Sequence, residues 1–170
     1  IAHRDRPEGF FNPDSPGDGA FSNTDLAFKD QLVFVGNYHG FNVYDISNPT
    51  NPPLRVSVVC PGGQGDLSVH GDLLFMSVQE TRSRIDCGTQ GAPDSVNVDR
   101  FRGVRIFDIG DIDTPRQVAA IQTCRGSHTH SNLTHPDDPE NDYVYVSGTS
   151  ESRPAGELPG CSRVADLGDP

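Results

Sequence analysis

Apolar and polar residues along the chain fall into short runs of strand character, and turn-forming residues separate them. The clearest alternation lies at Phe41, Val43 and Tyr44 around Asn42, and again at Val104, Ile106 and Phe107 around Arg105. After each of these runs comes Asp-Ile, a small polar cluster and then proline, which ends a strand and forces a turn. No stretch long enough for a helix carries a 3.6-residue period. The pattern predicts an all-β protein with strands at Asp25–Phe28, Leu32–Gly36, Phe41–Ile46 and Leu54–Cys60. It predicts four more at Asp66–Val69, Leu73–Val78, Val104–Ile109 and Val118–Thr123, and two at His130–Leu133 and Tyr143–Ser147.

These strands repeat. Asp25–Val35 lies over Asp66–Met76 without a gap at an offset of 41, and Gly40–Ile46 lies over Gly103–Ile109 at an offset of 63. The 22 additional residues fall between Gln79 and Arg102, so an insertion loop is expected over about 80–102. A third copy begins after Cys124, where Asp142–Ser147 echoes Asp72–Ser77. A period near 40 residues with four strands per unit is the signature of β-propeller blades. Two and a half blades are present, within about residues 22–150, between an irregular segment over 1–21 and a Gly/Pro/Asp-rich loop or tail over 151–170. Propellers close with roughly 4–8 blades, so the expectation is that further blades of the same protein, or further copies, complete the ring.

The segments Gly40–Pro53 and Gly103–Pro115 resemble the motif of LVIVD-repeat proteins. That resemblance implies a β-propeller, mostly bacterial and often exported, with no general biochemical activity assigned. It covers about residues 22–150 and departs at the insertion and at the tail. More distantly, the layout is similar to propellers of the selenium-binding type, where a metal site is expected, although none of their residues maps onto this chain.

Charge narrows the partners. Thirteen Lys+Arg against 24 Asp+Glu give a formal charge of −11, which opposes tracking of nucleic-acid phosphates. Lys29 is the one lysine, so anionic lipid has no basic cluster to dock on, and no apolar run is long enough for a membrane-spanning helix.

The four cysteines lack C-x-x-C spacing, and their even number points to two disulfides in an exported protein, periplasmic, cell-surface or extracellular. In a propeller, the connections between units share one face with those joining second to third strands. Cys60 and Cys124 both stand in the first kind, and Cys87 and Cys161 in or after the second. Cys60–Cys87 and Cys124–Cys161 are therefore the favoured pairing of three, each closing a loop worth about 3.5–4 kcal/mol. Two long loops stapled to one face suit a binding surface for a protein or glycan.

The same face gathers ionisable groups. His128 and His130 sit at i, i+2 and share a side if extended. His130 aligns with Asp66, and through it with Asp25, so all three are expected at a channel mouth, with His39 on the same face. Such a set suits a transition metal, and an incomplete shell supports an alternative reading as a metal-dependent oxidase or hydrolase. The structural reading is that the aspartates cap turns and the histidines hydrogen-bond neighbouring loops. Arg82 and Arg84 open the insertion and can grip a carboxylate or sulfate. Acidic runs at Asp14–Asp18, Asp108–Asp113 and Asp137–Asp142 invite Ca2+, though none has EF-hand spacing. Asp45 and Asp108 fit turn chemistry, and Asn132-Leu133-Thr134 is an N-glycosylation sequon.

Overall fold

The computed structural model describes residues 2–10, 21–94, 96–149 and 161. The acidic run at Asp14–Asp18 and the tail after Thr149, except Cys161, lie outside these. Ten strands form three antiparallel sheets, and no helix occurs among the described residues. The first sheet holds β1 (Asn23–Lys29), β2 (Leu32–Asn37), β3 (Gly40–Asp45) and β4 (Leu54–Val59) in that order. The second holds β5 (Leu67–His70), β6 (Leu73–Val78), β7 (Gly103–Asp108) and β8 (Arg116–Gln122). The third is the pair β9 (Thr129–His135) and β10 (Asp138–Ser147). Strand β1 lies beside β5, and β5 beside β9, so the first strands of successive sheets are neighbours.

The repeat extends to details of the backbone. The register between third and fourth strands shifts at Val43/Tyr44 in one sheet and at Ile106/Phe107 in the other, 63 residues on. Asp45 and Asp108 each accept a bond from the backbone N–H two residues later, Ser47 at 2.8 Å and Gly110 at 2.9 Å, which makes the turn after the third strand. Gly40 and Gly103 open the third strands at φ of +140° and +150°. A Cβ there would fall 2.0 Å from the Val58 carbonyl oxygen and 1.9 Å from that of Ile121, so only glycine lets the fourth strand approach.

The core lies between the first two sheets. Phe34, Phe41 and Val43 from the first meet Leu67, Leu74, Met76 and Phe107 from the second, and the Phe41 and Phe107 rings meet edge-on at 5.2 Å. Each such side chain removed from water contributes about 1.5–3 kcal/mol. The third strands are buried on both faces, so the polar residue inside each, Asn42 in one and Arg105 in the other, is buried with the apolar ones around it. Residues 2–10 contain no strand; Phe10 is buried and set edge-on to His39, and Arg4 donates to the Pro52 carbonyl at 2.8 Å.

The sheets are tied by polar bonds that recur. The Leu67 N–H donates to Asp25 Oδ2 at 2.7 Å, and the His130 N–H donates to Asp66 Oδ2 at 2.8 Å. At the opposite ends of the strands, Lys29 Nζ meets Asp72 Oδ1 at 2.5 Å and His70 Nε2 meets Asp142 Oδ1 at 3.2 Å. Each pair joins equivalent positions of adjoining sheets.

Candidate functional site

Both disulfides pair as the loop argument expects, Cys60 with Cys87 and Cys124 with Cys161. Cys60 opens the connection from β4 to β5, so the first bond ties that connection to the insertion between β6 and β7. The insertion is further closed by an isolated antiparallel bridge, Arg84 with Arg100, with Ile85 N–H bonded to the Asp99 carbonyl at 2.7 Å. Beneath it lies Arg105 of β7, fully buried, its guanidinium 4.8 Å from the Phe101 ring centre. It donates to the carbonyls of Ile85 and Arg84 and to Gln117 Oε1, while its Nε lacks an acceptor. Burial pulls its pKa down to about 10, so the side chain stays charged at neutral pH and carries that charge under the loop.

Arg84 and Arg82 part ways. Arg84 grips Asp86 with two bonds, at 2.9 and 2.7 Å, and Asp99 at 3.1 Å. Its fork is thus consumed inside the loop, which corrects the expectation that it faces a partner. Arg82 is exposed, and its guanidinium has no hydrogen-bond or ion-pair partner among the described residues. It lines a cleft of about 460 Å³ with Pro61, Glu80, Ser83, Thr89 and Gln90. Glu80 is already engaged, accepting from Thr81 Oγ1 and the Arg82 N–H.

The expected metal constellation is arranged differently. Asp25 and Asp66 do line one small pocket of about 180 Å³, together with Thr24, Gln64 and Thr129. His130 does not point into it. Its side chain is wholly buried between β9 and the second sheet, with Nδ1 2.9 Å from Asp66 Oδ2 and 2.8 Å from Ser77 Oγ, and Nε2 2.6 Å from Ser68 Oγ. A proton on Nδ1 directed at the carboxylate leaves Nε2 to accept from Ser68, so both ring nitrogens are occupied. The strand register also moves the alignment by one residue. Leu26, Leu67 and His130 pair with Val35, Met76 and Val146, which are equivalent places on the second strands, so Thr129, not His130, is equivalent to Asp25 and Asp66. His128 bonds Gln79 Oε1 from outside the sheet. His39 packs against Phe10 and Phe21, and burial lowers its pKa. Among the described residues no three His, Cys, Asp or Glu side chains stand together as a metal shell.

The described acidic runs serve turns and pairs. Asp111 accepts from the Asp113 N–H and Thr114 Oγ1, Asp113 pairs with Arg55 at 2.9 Å, and Asp138 accepts from Asn141 and Tyr143. The Asn132 amide of the sequon is buried within β9, with neither atom partnered. Ser68, Ser77, Gln79 and Arg105 escaped the sequence reading, because a hydroxyl or guanidinium inside a strand carries no motif.

No protein-family model matches the chain, and a search of curated proteins finds no significant match. No helix among the described residues is long and apolar enough to cross a membrane. Two disulfides are compatible with an oxidising, exported location.

Proposed function

We infer that the three sheets are blades of an exported β-propeller of the LVIVD-repeat kind, and that the module is a binding scaffold. Its stapled loop face receives a protein or glycan partner, with a carboxylate of that partner seated on Arg82. The observation that carries this reading is the construction of residues 80–102. A disulfide, a buried guanidinium and an aspartate-clamped arginine hold the loop from three directions, at the cost of a charge buried under it. What that rigid frame presents is an open cleft with one unengaged cation. A preformed site of this kind binds without ordering a loop first. Strands repeated in register, with the same shift between third and fourth strands, support the propeller reading, as does the sequence of neighbouring first strands.

The test is a titration of isotope-labelled protein with a glucuronate-terminated oligosaccharide and, separately, with a peptide ending in a free carboxylate. Shifts confined to the amide signals of residues 80–91 are expected with at least one of them, weakened about tenfold in Arg82→Ala, the size of one charge-assisted bond. Equal affinity in the variant, or no shift with either probe, defeats the reading.

A further inference from the structure

Equivalent positions can be followed through all three sheets, and at both ends the equivalence breaks. On the second strands, Phe34 is 0% exposed beneath the second sheet and Phe75 is 3% exposed beneath the third. Tyr145, in the same place on β10, is 62% exposed. Its neighbours on that face, Tyr143 and Leu133, are exposed as well. On the first strands, Leu67 is 6% exposed because the first sheet lies over it, and His130 is buried by the second. Leu26, their counterpart on β1, is 55% exposed, and Phe28 beside it 60%. The polar tie is missing there too. The Leu67 and His130 N–H groups each reach a carboxylate of the preceding sheet, whereas the Leu26 N–H has no such acceptor among the described residues.

In a repeat array each unit buries its apolar face only against its neighbours, and terminal units need polar outer faces. Neither end here has one. We propose that further sheets of the same repeat, carried on the same polypeptide, seat on both bare faces. The sheet on the β1 face covers Leu26 and Phe28 and offers an acidic side chain to the Leu26 N–H, as Asp25 and Asp66 do for their neighbours. The sheet on the β10 face covers Tyr143 and Tyr145. Continuity with the two seams already present in the molecule, apolar cover plus one carboxylate tie, specifies the occupant. This inference rests on the repeat reading of the sheets and not on the Arg82 cleft, so the titration above can fail without touching it.

Hydrogen exchange followed by mass spectrometry decides it, on the natural polypeptide bearing this sequence and on the 170-residue chain alone at two concentrations. In the natural polypeptide, peptides spanning residues 23–29 and 143–147 should exchange on the order of tenfold more slowly than in the chain alone, matching those that span 67–70. Equal exchange in the two overturns the proposal. Protection that arises in the chain alone as its concentration rises assigns the faces to a second copy and overturns the same-polypeptide source. Tyr145→Asp provides a second reading. It should lower the unfolding midpoint of the natural polypeptide and leave that of the 170-residue chain in place; equal losses would mean that Tyr145 serves its own sheet, against the proposal.

Discussion

His130 shows how one side chain can be fixed by what it joins. Its imidazole touches Asp66, Ser68 and Ser77 of the second sheet while its own backbone belongs to the third. Replacing it by leucine, the residue at the equivalent place in β5, would fill the space but leave the part-buried Ser68 hydroxyl without its imidazole partner and take one partner each from Asp66 and Ser77. His130→Leu should therefore cost about 2–4 kcal/mol in urea unfolding despite its apolar fit. The same assignment implies that the metal content of His128→Ala combined with His130→Ala equals that of the unaltered protein by elemental mass spectrometry. A stoichiometric transition metal lost in the double variant would overturn it. The sequence marks His130 as a residue to watch, but its chemistry was not legible. Matching ionisable side chains by type sets it over Asp66, one place from where strand pairing puts it. One residue along a strand exchanges the two faces of a sheet, so that slip decides between a channel mouth and a seam.

At the level of the element, the insertion between β6 and β7 behaves as a braced arm. Asp86 is central to the bracing: two bonds from Arg84 and the Gly88 N–H hold its carboxyl down to about 2, against an ordinary 3.8. A carboxyl depressed on folding contributes stability that is complete above its unfolded pKa and is lost as pH falls through its folded one. The arm should thus loosen between about pH 4 and pH 2. Amide signals of Ile85 and Gly88 should broaden or shift in that window while those of β3 hold; coincident changes in both would mean the arm has no brace of its own. The insertion was legible as an offset between two aligned strands. Its bracing was not, since Arg84 meets Asp86 and Asp99 only once the loop is closed, and Arg105 reads as a solvent-facing position under simple alternation. Strand β7 is covered on both sides, so a guanidinium there has to find acceptors inside.

Across the whole molecule, sheets succeed one another with the same seam each time, and the disulfides tie loops rather than sheets. Removing the first bond as Cys60→Ser with Cys87→Ser should lower stability by about 3.5 kcal/mol in guanidinium unfolding, the entropy released to the unfolded chain. The far-ultraviolet spectrum of the folded variant should remain that of a β protein. A loss of all strand signal at room temperature would show that the loop is needed for the sheets themselves. Strand positions were legible through the first two sheets, because alternation and repetition are local properties of the chain, but β9 and β10 extend to His135 and back to Asp138, through polar residues that show neither. The seams were not. Asp25 and Leu67, or Lys29 and Asp72, are about one unit apart in sequence, and nothing in either residue announces its partner.

Lys29 carries one more consequence. It is the chain's one side-chain amine, and it is engaged by Asp72 Oδ1 and by the Gly71 carbonyl at 2.8 Å across the seam between the first two sheets. An acylating reagent consumes the neutral amine, so Lys29 must leave its acceptors before it reacts. Uptake of an amine-reactive dye at this residue therefore reports how often this exposed ion pair opens. A sensor surface coupled through lysine would hold every molecule by this one corner with its Asp72 tie lost, and attachment through another group would spare it.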